Sequence, residues 1–232
     1  MQPYLFPYIG YFQLINAVDR FVIYDDVQWI KGGWINRNRI LVSGEARYIT
    51  VPVAKAPSNL PINERRLSEH FNDHRDKMLR TITGAYQKAP FFKPVSLLVE
   101  DCLSTGTDLV SDLVTGALRK ICTYLDLRTP FVMSSSLDKD DSLRGEERVL
   151  AINELLGATH YINPIGGTAL YNERTFSEHG LKLSFLKTRD IQYAQYRTRE
   201  FVPLLSIIDI LMFNSVDRIR VFLDEYDLLP AP

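Results

Sequence analysis

The chain has 232 residues, 46% hydrophobic and 11% aromatic, enough apolar material for a sizeable core within about one large domain. Its 27 basic and 28 acidic residues nearly cancel, which excludes recruitment of nucleic acid or an anionic membrane by bulk charge, so any anion must be held locally. The two cysteines, Cys102 and Cys122, lack CxxC spacing and read as buried thiols in a reducing compartment; without a membrane-length apolar run or a signal-peptide pattern, the expected address is the cytoplasm.

In chain order, Met1-Gln2-Pro3-Tyr4 is loop-like, an abrupt opening for an α/β chain, as if a first strand were missing. Phe12, Leu14, Ile15 and Val18 predict a helix over 9–18 that feeds a buried strand, Phe21 to Tyr24. Two β-rich runs over 39–53 surround Ser43-Gly44, a hairpin signal, and a proline-punctuated loop follows over 54–62. Helical stripes then run through Phe71, Met78, Ile82 and Tyr86, and from Leu109 to Leu125 with Thr107 placed as N-cap. From Phe131 the pattern alternates: strand 131–134, helix 146–156, strand 160–163, helix 170–179, strand 181–186, with Gly157 and Gly180 as helix stops. Helices over 203–213 and from Ser215 close the chain; the aliphatic LLSIIDILMF run within the first is expected to pack, with a homodimer interface as one use. The rhythm predicts a single α/β domain over 1–232 with a mostly parallel, Rossmann-like sheet flanked by helices, residues 39–67 forming a hairpin and loop excursion and 68–126 a helical insertion.

Ligands of open parallel sheets sit beyond the carboxyl ends of strands, where Asp25 and Asp26 follow the FVIY run. Adjacent carboxylates there can orient a nucleophile, take its proton or hold a divalent cation; capping the next turn is the competing role. Gln28, Lys31, Gly32, Gly33, Trp34, Asn36, Arg37, Asn38 and Arg39 follow, donors and an aromatic plate suited to a sugar-like or anionic ligand. In the opening segment, Gln2, Tyr4, Tyr8, Gly10, Tyr11 and Gln13 surround the turn into the first helix. Its layout resembles the His-x-Gly-His signature of class I nucleotidyltransferases, with Tyr8-Ile9-Gly10-Tyr11 in place of the histidines, and neutral tyrosines remove the positive charge that ATP cleavage needs. Asn163, Gly166 and Gly167 lie between a predicted strand and helix, where backbone N–H groups can approach an anion; a plain tight turn explains them equally well. Ser134 to Ser136, with Arg144 and Arg148 nearby, can contact phosphate or serve as caps. His70 and His74 lack a third ligand, so no metal site is expected, and structural roles are expected for His160, His179 and Ser206.

The segments QPYLFPYIGYFQLI, FVIYDDVQWIKGGWINRNRI, YINPIGGTALY and FVPLLSIIDILMFN resemble the WbqC-like protein family over nearly the whole chain. The resemblance implies a bacterial protein tied to O-antigen or other surface-polysaccharide synthesis, with glycyl or other acyl transfer onto amino sugars as a suggested role. It also implies a short apolar strand ahead of Gln2-Pro3-Tyr4, a central strand that this sequence lacks. The motif positions it carries over, without roles, are Gln2, Tyr8, Gly10, Tyr11, Asp25, Asp26, Gln28, Trp34, Asn36, Arg37, Asn163, Gly166 and Gly167.

The leading expectation is therefore a transferase that forms an amide on an amino sugar or nucleotide-sugar. Asp25 or Asp26 would be catalytic, the other motif residues would bind substrate, and the donor would be a thioester or adenylate, presented free or by an acyl-carrier partner. The alternatives are a nucleotidyltransferase-like or adenylate-forming enzyme, marked by pyrophosphate release, and a non-catalytic ligand-binding or complex-organising protein.

Overall fold

A computed structural model describes residues 1–104, 106–196, 198 and 200–231. Helix α1 (Ile9–Asn16) precedes β1 (Phe21–Ile23), then come the hairpin strands β2 (Arg37–Val42) and β3 (Glu45–Thr50) and three helices, α2 (Phe71–Tyr86), α3 (Phe92–Leu103) and α4 (Val110–Tyr124). The second half runs β4 (Phe131–Met133), α5 (Gly145–Leu155), β5 (His160–Pro164), α6 (Glu173–Glu178), β6 (Lys182–Thr188), α7 (Ile207–Phe213), α8 (Val216–Leu223) and β7 (Tyr226–Pro230).

The fold is mixed α/β, but the expected continuous Rossmann-like sheet does not form. β1 pairs in parallel only with β4, β5 pairs in parallel with β6, and β7 adds to β6 in the antiparallel sense. β1 and β5 share a direction: Arg20, just ahead of β1, donates to the Leu156 carbonyl just ahead of β5 (3.4 Å), and Tyr24 beyond β1 faces Tyr161 and Tyr171. A cleft of about 390 Å³ separates them, lined by Phe21, Val22 and Tyr24 on one side and His160, Tyr161 and Ile162 on the other. Strands must approach to about 4.8 Å to share hydrogen bonds, and this gap holds the two edges apart. On the β1 side, the Met1 amino group donates to the Val22 carbonyl (2.8 Å) and Tyr24 N–H donates to the Met1 carbonyl (2.7 Å), a parallel-bridge pattern. Burial lowers the pKa of that amino group to about 5.

Apolar packing follows the split. One core joins α1, β1, the hairpin, α2 to α4, α7 and α8, while a second gathers Val149, Leu150, Phe176, Leu181, Leu183 and Phe185 around α5, α6 and β6. The hairpin turns through Ser43 and Gly44, both at positive φ (54° and 84°), the geometry of a two-residue type I′ turn. Helix α4 starts later than expected, with Leu109 as N-cap; Thr107 instead accepts a hydrogen bond from Leu109 N–H and donates to Asp112. The helix expected over 170–179 shrinks to α6 behind a 3-10 turn at Ile165–Leu170, and the one expected over 203–213 starts only at Ile207, capped by Ser206. In the LLSIIDILMF run, Ile207, Ile208, Ile210, Leu211 and Met212 are all buried inside the chain, whereas Leu204 is exposed. Cys102 and Cys122 are buried free thiols whose pKa burial pushes up to about 12. Among the described residues no helix is long and apolar enough to cross a membrane.

Candidate functional site

The adjacent aspartates beyond β1 have different surroundings. Asp25 is buried, and both its oxygens are engaged by one residue: Ser135 N–H donates to Oδ1 (3.0 Å) and Ser135 Oγ to Oδ2 (2.7 Å). It fastens the 3-10 turn Ser134–Ser136, at the end of β4, to the end of β1, and so braces a remote turn in place of the next one in the chain. Asp26 faces a cleft. Lys139 Nζ (2.6 Å) and an Arg148 guanidinium nitrogen (2.7 Å) converge on its Oδ2, and both cationic side chains are buried. Its Oδ1 is buried and makes no hydrogen bond of normal geometry. Burial alone would raise the Asp26 pKa, but Lys139, Ser134 and Arg148 outweigh it and hold the carboxyl below its ordinary value.

That cleft measures about 640 Å³. Asp26, Val27 and Gln28 form one wall and Asn59, Pro61, Asn63 and Glu64 a second; Ser135, Asp141, Arg144 and Arg148 close it. Backbone bonds fix the second wall to the first: Asn63 N–H donates to the Asp25 carbonyl (2.9 Å) and Ile62 N–H to the Val27 carbonyl (3.0 Å). Arg144 is the N-cap residue of α5, which also carries Arg148, so one helix start supplies both cations. Arg148 also reaches exposed Asp141 (3.3 Å) and lies over the Tyr24 ring (5.8 Å). Besides Asp26 Oδ1, two further atoms of the lining residues, Asn63 Oδ1 and Arg148 Nε, are buried without partners. Unsatisfied buried polar atoms cost about 1–3 kcal/mol each, so their concentration here suits a ligand that supplies the missing partners. The chemistry on offer is two acceptors, Asp26 and Asn63, for an N–H or O–H donor, beside guanidinium groups for an anion.

The other sequence candidates are scattered. Gln28 lines the cleft, with its amide donating to the Ser58 carbonyl (3.2 Å). Several are occupied by the backbone: Asn36 donates to the Val51 carbonyl (2.7 Å), Arg37 Nε to the Gly33 carbonyl (3.1 Å), and Tyr11, buried in the main core, to the Gln2 carbonyl (2.8 Å). Trp34 lies on the hairpin surface, 38% exposed, between Tyr48 and the Arg39 guanidinium, and is absent from the cleft lining. Asn163 belongs to a tyrosine cluster: the Tyr161 hydroxyl lies 3.3 Å from Asn163 Oδ1 and 3.3 Å from the Tyr171 hydroxyl. Gly167 serves Asn163, since a Cβ there would stand 1.9 Å from the Asn163 amide nitrogen, whereas Gly166 has open space around it. The helix start expected after Gly166 and Gly167 is the 3-10 turn, without an aligned α-helical dipole at that point. Tyr8 and Gly10 lie at the start of α1, beside Thr188 at the end of β6.

Lys139 escaped sequence reading because it sits in the connector between β4 and α5 and no local pattern marks it. Its buried ammonium is detectable only once β1 and β4 are paired. His70 and His74 are exposed, and no group of three or more potential metal ligands occurs among the described residues.

A polar cleft at the carboxyl end of parallel strands, with one half-committed carboxylate, defines a candidate small-molecule site on an α/β protein. The sequence model of the WbqC-like protein family matches residues 2–221, and the chain belongs to that family. It is also 31% identical over 215 residues to the uncharacterized protein Rv1507c of Mycobacterium tuberculosis, covering 90% of this chain and 89% of that protein. No solved structure matches.

Proposed function

We propose that this protein is a transferase that forms an amide on an amino sugar carried by a nucleotide, as part of surface-polysaccharide or O-antigen synthesis. The reading rests on one observation: Asp26, Asn63, Arg144 and Arg148 line one cleft, and Asp26 Oδ1 and Asn63 Oδ1 are buried acceptors without a hydrogen bond of normal geometry. The two acceptors suit the N–H groups of a sugar amine, and the guanidinium groups suit the phosphates of the nucleotide.

The amine nitrogen attacks the carbonyl carbon of an activated acyl donor. A C–N bond forms, the C–S bond of a thioester or the C–O bond of an acyl adenylate breaks, and the thiolate or adenylate departs with the electron pair. A carboxylate with a lowered pKa is a weak base towards a free amine. The nitrogen becomes strongly acidic once bonded to the acyl carbon, and Asp26 accepts its proton at that stage. Asp25, bonded through both oxygens to Ser135, acts as a positioning residue for the turn that abuts Asp26.

The test is thermal stabilisation by UDP-glucosamine compared with UDP-N-acetylglucosamine, which blocks the amine. The free amine should bind about tenfold tighter, and Arg144→Ala should weaken both ligands about tenfold. Equal binding of the two sugars, or no loss in Arg144→Ala, would overturn the assignment.

A further inference from the structure

A second cavity, of about 320 Å³, opens at the carboxyl end of β6. Its volume is at the lower end of the range of about 300–1,000 Å³ typical of small-molecule sites. The wall is largely apolar: Ile9, Ile191, Leu205 and Ile210 are buried side chains, and Phe201 stands edge-on to Tyr193 (5.2 Å). The polar part of the lining is Tyr8, Thr188, Arg189, Asp190 and Ser206; Thr188 Oγ1 is buried without a hydrogen bond of normal geometry, and Arg189 is paired with Asp227 (2.6 Å).

Two features of the backbone shape the cavity wall. At Gly10, a Cβ would stand 2.4 Å from the Tyr8 ring and 2.5 Å from Thr188 Oγ1, so only glycine lets that ring fold over the first turn of α1 against Thr188. The glycine of the Tyr-Ile-Gly-Tyr motif thus seats Tyr8 in the cavity wall. At the cavity mouth, Leu204 holds a left-handed backbone (φ 55°) while its side chain is 61% exposed. A leucine in this conformation is strained, and exposure denies it compensating burial. The strain is imposed from outside: Leu204 O accepts from Arg39 (3.4 Å), and Ser206 N–H donates to the Arg39 carbonyl (2.8 Å). An apolar ligand entering the cavity would cover the exposed leucine.

We infer that this cavity is a binding site for a small apolar carboxylic acid or acyl group, its chain among Ile9, Ile191, Phe201 and Leu205 and its oxygens on the Tyr8 hydroxyl. It is distinct from the Asp26 cleft and shares no lining residue with it.

Calorimetric titration with sodium octanoate, against sodium acetate, tests the site. Octanoate should bind saturably at one site and acetate should not. Tyr8→Phe should weaken octanoate about tenfold, the loss of one hydrogen bond to a charged group. Phe201→Ala should weaken it severalfold through the apolar wall, while Arg144→Ala in the other cleft should leave it unchanged. Absence of saturable octanoate binding, or binding indifferent to both Tyr8→Phe and Phe201→Ala, would overturn the inference. Loss of octanoate binding in Arg144→Ala would overturn it as well, by placing the ligand in the Asp26 cleft.

Discussion

Two carboxylates, Asp26 and Asp209, are withdrawn from water by different means. Asp26 is held by two buried cations on one oxygen, while its other, buried oxygen makes no hydrogen bond of normal geometry. Asp209, in α7, is fully buried and accepts from Tyr86 (2.7 Å), Tyr193 (2.6 Å) and Gln195 (3.1 Å), all neutral donors. Burial raises the pKa of Asp209 despite those donors, whereas cations pull that of Asp26 down despite burial. The satisfied carboxylate ties α2 and the segment after β6 to α7. The unsatisfied one lines a cleft, and that difference marks which of the two is placed for a ligand.

Removing one partner of a buried ion cluster should have the largest effect on stability. Asp26→Ala leaves buried Lys139 and Arg148 with only exposed Asp141 as a shared partner (3.6 and 3.3 Å) and should cost about 3–5 kcal/mol in urea denaturation. Replacing the cluster together (Asp26→Leu, Lys139→Met, Arg148→Met) should recover most of that loss. If the single variant costs under about 1 kcal/mol, the cluster is solvated in solution and the comparison breaks. Asp209→Ala should cost less, about 2–3 kcal/mol, because the abandoned donors are neutral.

The pH dependence should separate the two in sign. The lowered pKa of Asp26 gives stability that is present above the unfolded carboxylate value and lost as pH falls through the folded one. The raised pKa of Asp209 gives stability that is present below the unfolded value and lost as pH rises through the folded one. Asp26→Asn should therefore flatten the acid limb of a stability profile, and Asp209→Asn the limb above it. Identical profiles for the two asparagine variants would contradict the opposite shifts.

Short-range chemistry made much of the fold legible. Ser43-Gly44 announces the hairpin, Gly157 and Gly180 stop their helices at positive φ, and the stripe from Phe71 to Tyr86 is one helix. Helix α3 has no clear signal in the sequence; Pro94 falls in its first turn, where its absent N–H costs nothing. Strand β7 was missed because it joins β6 only through contacts from far along the chain. The break in the sheet has no local signature, since it depends on how closely β1 and β5 approach. At the site, Asp26 could be placed from its position after a strand, but Lys139 and Arg148 could not be assigned to it from sequence. Conversely, the polar run after Gln28 suggested ligand contacts, where Asn36 and Arg37 in fact brace backbone carbonyls.

The smallest expected effect on stability sharpens the contrast most. Arg144 is exposed, and its guanidinium donates to nearby carbonyls including that of Leu143 (2.7 Å), so it contributes little to the fold. Arg144→Ala should change unfolding free energy by no more than about 0.5 kcal/mol, as for surface positions generally, while weakening a phosphate-bearing ligand about tenfold. Tyr193→Phe, at the satisfied carboxylate, should do the reverse: about 1–1.5 kcal/mol less stable, with nucleotide-sugar affinity unchanged. Comparing denaturation midpoints with binding constants across the two variants asks whether stability and recognition are divided between these carboxylates. Parallel losses in both quantities for Arg144→Ala would mean that the cleft wall belongs to the fold and that the ligand sits elsewhere.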